Sequence, residues 1–327
     1  MTTLVVTHSQ DNYCTPAVVD ALRARGERVF RLDTDRFPTE LRLQMHDGDV
    51  AGGWHLADGD DRLDLSEVTA VWYRRANIGG LIPAEMDSQL RAAALKESHR
   101  TVQGMLAGLE VFCLDPIERI RAAEHKPLQL RVARRLGLDI PRTLVTNDAD
   151  AVRAFFPQCP GGMVTKMLAS FAVYEDGQEM VVFTNPVTAA HLDDLDGLEL
   201  CPMVFQENIP KALELRVTVV GTRVFAASID SQSSARARTD WRRDGNEMIA
   251  DWKHYTLPDA LTEKVLALMD HFRLNYGALD FIVTPDGRYV FLEVNPAGEF
   301  FWLERAPGLP ISEALADVLT GRATRRA

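Results

Sequence analysis

The chain has 327 residues, more than one hydrophobic core usually covers, so two or three domains are expected. Its formal charge of −11 at pH 7 argues against a general nucleic-acid binder, which needs a basic face. No apolar run approaches the roughly 20 residues of a membrane span, so no membrane partner is expected.

The opening "MTTLVVTHSQ" is strand-like and carries neither a basic n-region nor a cleavage site. Cys14, Cys113, Cys159 and Cys201 form no CxxC pair, so neither zinc nor a disulfide framework is indicated. A cytoplasmic protein with reduced thiols is the expectation. The strand "TLVVT", helix "TPAVVDALRARG", strand "RVFRLD", a polar stretch and the strand "VTAVWYRR" make a βαβ pattern, hence a parallel sheet. It lacks the GxGxxG of a dinucleotide site. A helical region spans about 83–109, and "IERIRAAEHKPLQLRVARRLG" reads as a second amphipathic helix that Pro127 kinks or divides and Gly137 ends.

Beyond about Asp115 the style changes to mixed α+β with antiparallel sheets. Strands are expected in "PRTLVT", "GGMVTKML", "VFQENI" and "ELRVTVVGTRVFAASID", and "FAVYEDGQEMVVFT" reads as a hairpin. The helix "DALTEKVLALMDHFRL" precedes a further hairpin, and the helix "PISEALADVLTG" closes the fold.

That further hairpin, "GALDFIVTPDGRYVFLEVNPAG", sets Asp280, Glu293 and Asn295 among apolar residues. With a two-residue turn at Asp286-Gly287, Asp280 lies opposite Glu293, and Asn295 shares their face by the period of two. A four-residue loop keeps that face; a three-residue loop puts Asp280 on the other. Opposed like charges are destabilising, and a hard cation between them reverses the sign, as Mg²⁺ does with carboxylate, amide and phosphate oxygens. The alternative is an edge hairpin with solvated acids. Lys166 stands mid-strand in "MVTKML", where an ammonium needs either an open edge or an anion. Lys126 lies in "EHKPLQL", and Arg216 together with "SSARARTDWRRDGN" adds fixed positive charge suited to phosphate.

Two lysines, a polar strand end, arginines and an Asp/Glu/Asn set, in that order, resemble the ATP-grasp superfamily. Within it, "HKPLQL", "TKML", "FQENIP", "ELRVTVVG", "DWRR" and "FLEVNPAGEFFWLE" are similar to the microviridin-type peptide ligases, or graspetide synthetases. The resemblance covers most of residues 115–305. It implies an α/β N-terminal pre-ATP-grasp domain over 1–115, then an α+β ATP-grasp domain with a central lobe over 116–205 and a C-terminal lobe over 206–327. ATP would lie between the antiparallel sheets of those lobes. It also implies that Lys126 and Lys166 bind ATP phosphates and that the main chain of Gln206, Glu207, Asn208 and Ile209 holds adenine. Arg216 and Arg242 would stabilise the transferring phosphoryl group, and Asp280, Glu293 and Asn295 would hold Mg²⁺. Arg74, in "VWYRR", and Arg236 and Arg238 would contact substrate. One departure concerns the ribose: Lys211 stands where many such ligases have an acid, and Glu214 is the substitute.

The partner so implied is a ribosomal precursor peptide, leader plus core, whose Asp/Glu carboxyls are joined to its own hydroxyls or amines. Leader binding is expected on "FAVYEDGQEMVVFT" and the helix "TAAHLDDLDGL". The rival readings are a ligase that adds an amino acid to a peptide or protein tail, and a non-catalytic nucleotide-dependent peptide-binding module. The oligomeric state stays open, a homodimer included.

Overall fold

In the computed structural model, which describes residues 1–48, 52–168, 172–175, 178–181, 183–234, 241–244 and 247–326, the chain begins with the expected βαβ unit. Strand β1 (Thr2–Thr7) leads through α1 (Thr15–Ala24), with Pro16 in its first turn, to β2 (Arg28–Asp33). The polar stretch that follows is itself a small antiparallel sheet of β3 (Arg42–Met45), β4 (Trp54–Asp58) and β5 (Asp61–Asp64). Then come β6 (Val68–Tyr73), α2 (Ser88–Ala107), capped by the Asp87 carboxylate, and β7 (Phe112–Leu114). The parallel sheet runs in the order β2-β1-β6-β7. Strand β1 is buried throughout because it serves both faces. Leu4 and Val6 enter one core and Val5 the other.

Pro127 divides the next helix into α3 (Ile117–Glu124) and α4 (Lys126–Arg135), and Gly137 follows with φ +77°. A second sheet contains β8 (Thr143–Thr146), after which α5 (Ala149–Phe155) leads to β9 (Met163–Lys166). The hairpin strands β10 (Ala172–Glu175) and β11 (Gln178–Val181) pair with each other, their turn at 176–177 lying outside the described residues. They precede β12 (Asn185–Val187) and β13 (Met203–Glu207), and the sheet order is β12-β9-β13-β8, antiparallel at every step. Where a helix was expected in "TAAHLDDLDGL", the regular structure is one 3-10 turn, Ala189–Leu192.

The third sheet, β16-β15-β14-β17-β18, comprises β14 (Leu213–Val220), β15 (Arg223–Ile229), β16 (Lys253–His254), β17 (Tyr276–Val283) and β18 (Tyr289–Asn295). Helix α6 (Asp259–Phe272) covers one face, where Val265, Leu268 and Met269 pack with Val217, Leu279 and Phe281. On the other face α7 (Phe301–Arg305) and α8 (Ile311–Leu319) share a core with α1 and β1, so the first and third sheets are joined through common apolar contacts. A polar joint adds to this. The buried Asp115 carboxylate accepts from the Asn275 N–H, the Asn275 side chain at 3.1 Å and the Tyr276 N–H at 2.9 Å. Burial pushes its pKa up to about 6 against the pull of these donors.

Candidate active site

A cleft of about 520 Å³ opens between the second and third sheets, with α4 at its end. Of the expected site residues, Lys126, Lys166, the four residues Gln206–Ile209, Glu214, Arg216, Asp280, Glu293 and Asn295 all line it.

The β17–β18 wall is built by a turn and a bulge together. Thr284 and Arg288 close a three-residue loop, with Gly287 at φ +84° and Val283 opposite Tyr289. Continued unchanged, that register would put Asp280 and Glu293 on opposite faces. The pairing shifts by one residue between Phe281↔Phe291 and Asp280↔Glu293, so Leu292 is the extra residue of a β-bulge. Glu293 thereby faces the cleft with Asp280, and Ala278↔Asn295 keeps the amide in step. The face is the expected one, and the expected direct two- or four-residue turn is corrected to an odd loop with a compensating bulge.

Each carboxylate has a cation beside it. Lys126 Nζ lies 3.0 Å from Glu293, and Arg216 donates to Asp280 at 2.9 Å. Arg216 also lies over the Trp302 ring at 5.2 Å. The Asn295 side-chain Oδ1 accepts from the Ala297 N–H and keeps a second lone pair. Two carboxylates and an amide oxygen are hard donors too few to cage a cation alone. Among the described residues no cluster of three or more His, Cys, Asp or Glu forms a self-sufficient metal site. Such a set fits Mg²⁺, which uses one or two carboxylates and completes its shell with phosphate and water.

The opposite wall is largely main chain. Gln206, buried, is held on both sides by the β8 and β9 ladders, and its side chain donates to Thr143 at 2.9 Å. The Glu207 and Asn208 N–H groups donate to Arg142 and Gly162 carbonyls. Ile209 thus becomes the position of the four whose N–H none of these bonds engages. It packs with Ile282, Val290 and Leu292 in a small apolar cluster suited to the flat face of a heterocycle. At the ribose position Lys211 Nζ lies 3.0 Å from Glu214, and both side chains are nearly buried. Glu214 therefore reaches a hydroxyl only in company with that ammonium.

The remaining expected residues lie elsewhere. Arg74 is 2% exposed and meets Glu299 at 2.9 Å and the Ala297 carbonyl, so it holds the 296–299 loop from below instead of opening to a substrate. Arg75 joins it on both partners. Arg236 and Arg238 lie outside the described residues, as does the side chain of Arg242, whose backbone sits in the short turn Trp241–Asp244. Trp241 anchors that turn against Trp252 and Trp302, with ring centroids at 5.2 and 5.4 Å. Sequence reasoning did not single out Arg243, which donates to Thr184 and Asn185 across the cleft at 2.9 and 2.7 Å. The "DWRR" pair was its only sequence signal.

Residues 2–121 match the model of the MvdD pre-ATP grasp domain. No curated protein matches the chain. Among solved structures, the macrocyclase MdnC of Microcystis aeruginosa MRC, bound with precursor peptide MdnA, is 51% identical over 98% of this chain and 100% of its own, with a TM-score of 0.89. The chain belongs to the RiPP-associated ATP-grasp ligases. Another member, from Chryseobacterium gregarium and in complex with ADP and a leader and core peptide, is 40% identical over 99% of this chain and 98% of its own, with a TM-score of 0.94. The ligase PsnB, complexed with minimal precursor, Mg and ADP, is 25% identical over 98% of this chain and 97% of its own, with a TM-score of 0.76. The cleft between the second and third sheets thus brings together paired carboxylates, cations and an apolar wall.

Proposed function

We propose that this ligase activates Asp or Glu side-chain carboxyls of a ribosomal precursor peptide as acyl phosphates and closes ester or amide crosslinks within that peptide. The observation that carries the reading is the cleft wall on which a bulge brings Asp280 and Glu293 to one face, each beside a cation, in a chain 51% identical to a macrocyclase. ATP is the phosphoryl donor, and Mg²⁺, held by Asp280, Glu293 and Asn295, supplies charge neutralisation at its phosphates. Lys126 and Lys166 bind phosphate oxygens, and Ile209 with Leu292 holds the adenine. Arg216, already fixed by Asp280 and Trp302, stabilises the transferring group, since phosphoryl transfer depends chiefly on positioning and electrostatics. Arg242 stands with it, and Arg236 and Arg238 steer acidic side chains.

The balance fixes what must be measured. A carboxylate oxygen attacks the γ-phosphorus and ADP leaves. A Ser/Thr hydroxyl or Lys amine then attacks the acyl carbon, phosphate leaves with that oxygen, and the nucleophile loses its proton. Each ring therefore consumes one ATP and removes the elements of one water. The leader docks by adding a strand to the β10–β11 hairpin, which pairs with no other strand among the described residues. A cytoplasmic enzyme is the reading that accords with use of ATP. The test is incubation with ATP, Mg²⁺ and a genomically adjacent precursor, followed by mass spectrometry. Loss of water in whole units, matched by ADP, is expected; a mass gain equal to an added amino acid would overturn the reading.

A further inference from the structure

Strand β18 is the edge of its sheet, so the side of it facing away from β17 has main-chain groups in need of partners. Two tethers meet that edge, one on either side of the bulge. The Phe291 N–H donates to the Asp139 carbonyl at 2.8 Å. At Val294 the partner is the side chain of Gln129, 1% exposed on α4. Its Oε1 accepts from the Val294 N–H at 2.9 Å, and its Nε2 donates to the Val294 carbonyl at 2.8 Å. One amide thus does for a single residue what a neighbouring strand would do. The same Nε2 also donates to the Ala123 carbonyl. In an unbroken helix that carbonyl would accept from residue 127, but Pro127 has no N–H. The break between α3 and α4 therefore frees an acceptor that Gln129 fills.

Val294 lies between Glu293 and Asn295, and Gln129 lies one turn after Lys126, whose ammonium pairs with Glu293. We propose that Gln129 is a positioning residue for the metal-binding strand. Its amide fixes Val294 on the open edge, holds the bulge in the register that turns Glu293 into the cleft, and sets that carboxylate's distance from Lys126. The proposal rests on the assignment of Asp280, Glu293 and Asn295 to Mg²⁺. Loss of a group that orients a metal ligand costs about 10–100-fold in metal affinity, so the Mg²⁺-dependent part of nucleotide binding is the quantity that should respond.

The experiment is calorimetric titration of the full chain with ADP, with and without saturating Mg²⁺, for wild type, Gln129→Met and Glu293→Gln, each checked for folding by circular dichroism. Met keeps the length and burial of Gln129 and removes both hydrogen-bonding groups. Expected for Gln129→Met is unchanged Mg²⁺-free affinity and a loss of about tenfold or more in the Mg²⁺-dependent increment, a split that a merely structural role would not produce. An increment retained in Gln129→Met but lost in Glu293→Gln overturns the role of Gln129 alone. An increment retained in both overturns the metal assignment, and the positioning role with it. Should Gln129→Met not fold, Gln129→Glu keeps the volume and the acceptor while setting a carboxylate against two carbonyls, and the same loss is expected.

Discussion

The β9–β13 wall presents mainly main chain and one lysine to the cleft, whereas the β17–β18 wall presents side chains whose aim depends on one extra residue. On the first wall the antiparallel ladders to β8 and β9 fix Gln206 and its neighbours, and most substitutions leave those groups in place. On the second, a period of two means that a shift of one residue sends every side chain to the opposite face. The bulge at Leu292 is therefore as much a part of the site as the carboxylates it aims. The walls should accordingly fail in different ways: the second through loss of charge placement, the first through weakened binding of the nucleotide's body.

The largest effect is expected on the second wall. Glu293→Gln keeps size and leaves the apolar core face of β18 intact, yet removes a charge from the proposed metal set. Turnover should fall by about a thousandfold or more, the scale of losing a principal electrostatic group at the reacting phosphate, with the melting curve preserved. Wild-type turnover in this variant would remove Glu293 from the metal set. Lys166→Met, on the opposite wall, keeps length and apolarity but discards the ammonium. A loss of about a hundredfold in kcat/KM for ATP corresponds to roughly 3 kcal/mol, the upper range for a charge-assisted bond. Unchanged kinetics would show that Lys166 makes no phosphate contact.

How far these walls were legible in the sequence follows the same division. Alternation and turn chemistry disclosed β14, β15, β17 and β18, and the family resemblance carried by the ordered motifs implied which charged residues share the cleft. The bulge had no local signature. Nothing in Phe291-Leu292-Glu293 distinguishes it from regular strand, because the shift is enforced from outside the hairpin, by Asp139 and Gln129 on the edge. The β3–β5 sheet went unread for a different reason. Its strands are four or five residues long and largely polar on their outer face, too short for a period to register. The Arg74–Glu299 pair and the Arg243 contacts to Thr184 and Asn185 join distant segments, and no spacing within either segment announces them.

A milder test sharpens the contrast between charge and apolar contact on one strand. Leu292 is the bulge residue and belongs to the apolar cluster with Ile209 and Ile282. Leu292→Ala should lose about 1.5 kcal/mol of contact with the adenine face, roughly tenfold in ATP affinity, while leaving turnover at saturating ATP close to wild type. A fall in kcat with KM unchanged would mean that the substitution disturbs the bulge and not the adenine contact.

The smallest effect on turnover lies outside the cleft, at the Asp115 joint that ties β7 to the start of β17, where stability is the quantity to measure. Burial raises this carboxyl from the ordinary 3.8 to about 6 in the folded chain. The folded state therefore holds a proton over a range in which the unfolded chain has released it. The stability so contributed is fully present below the unfolded value and is lost as the pH rises through about 6. Thermal midpoints should decline from acid toward neutral over that window, after allowance for other titrating groups by comparison with Asp115→Asn. Asparagine cannot titrate, so the variant should lack this component. It should also be less stable at every pH by about 1–3 kcal/mol, because its amide N–H₂ group faces the N–H donors of Asn275 and Tyr276. Identical pH profiles for the two proteins would show that Asp115 is ionised throughout and that the three donors outweigh its burial. The joint would then bind the first and third sheets through a buried charge, and the sensitivity to pH would have to be sought at another group.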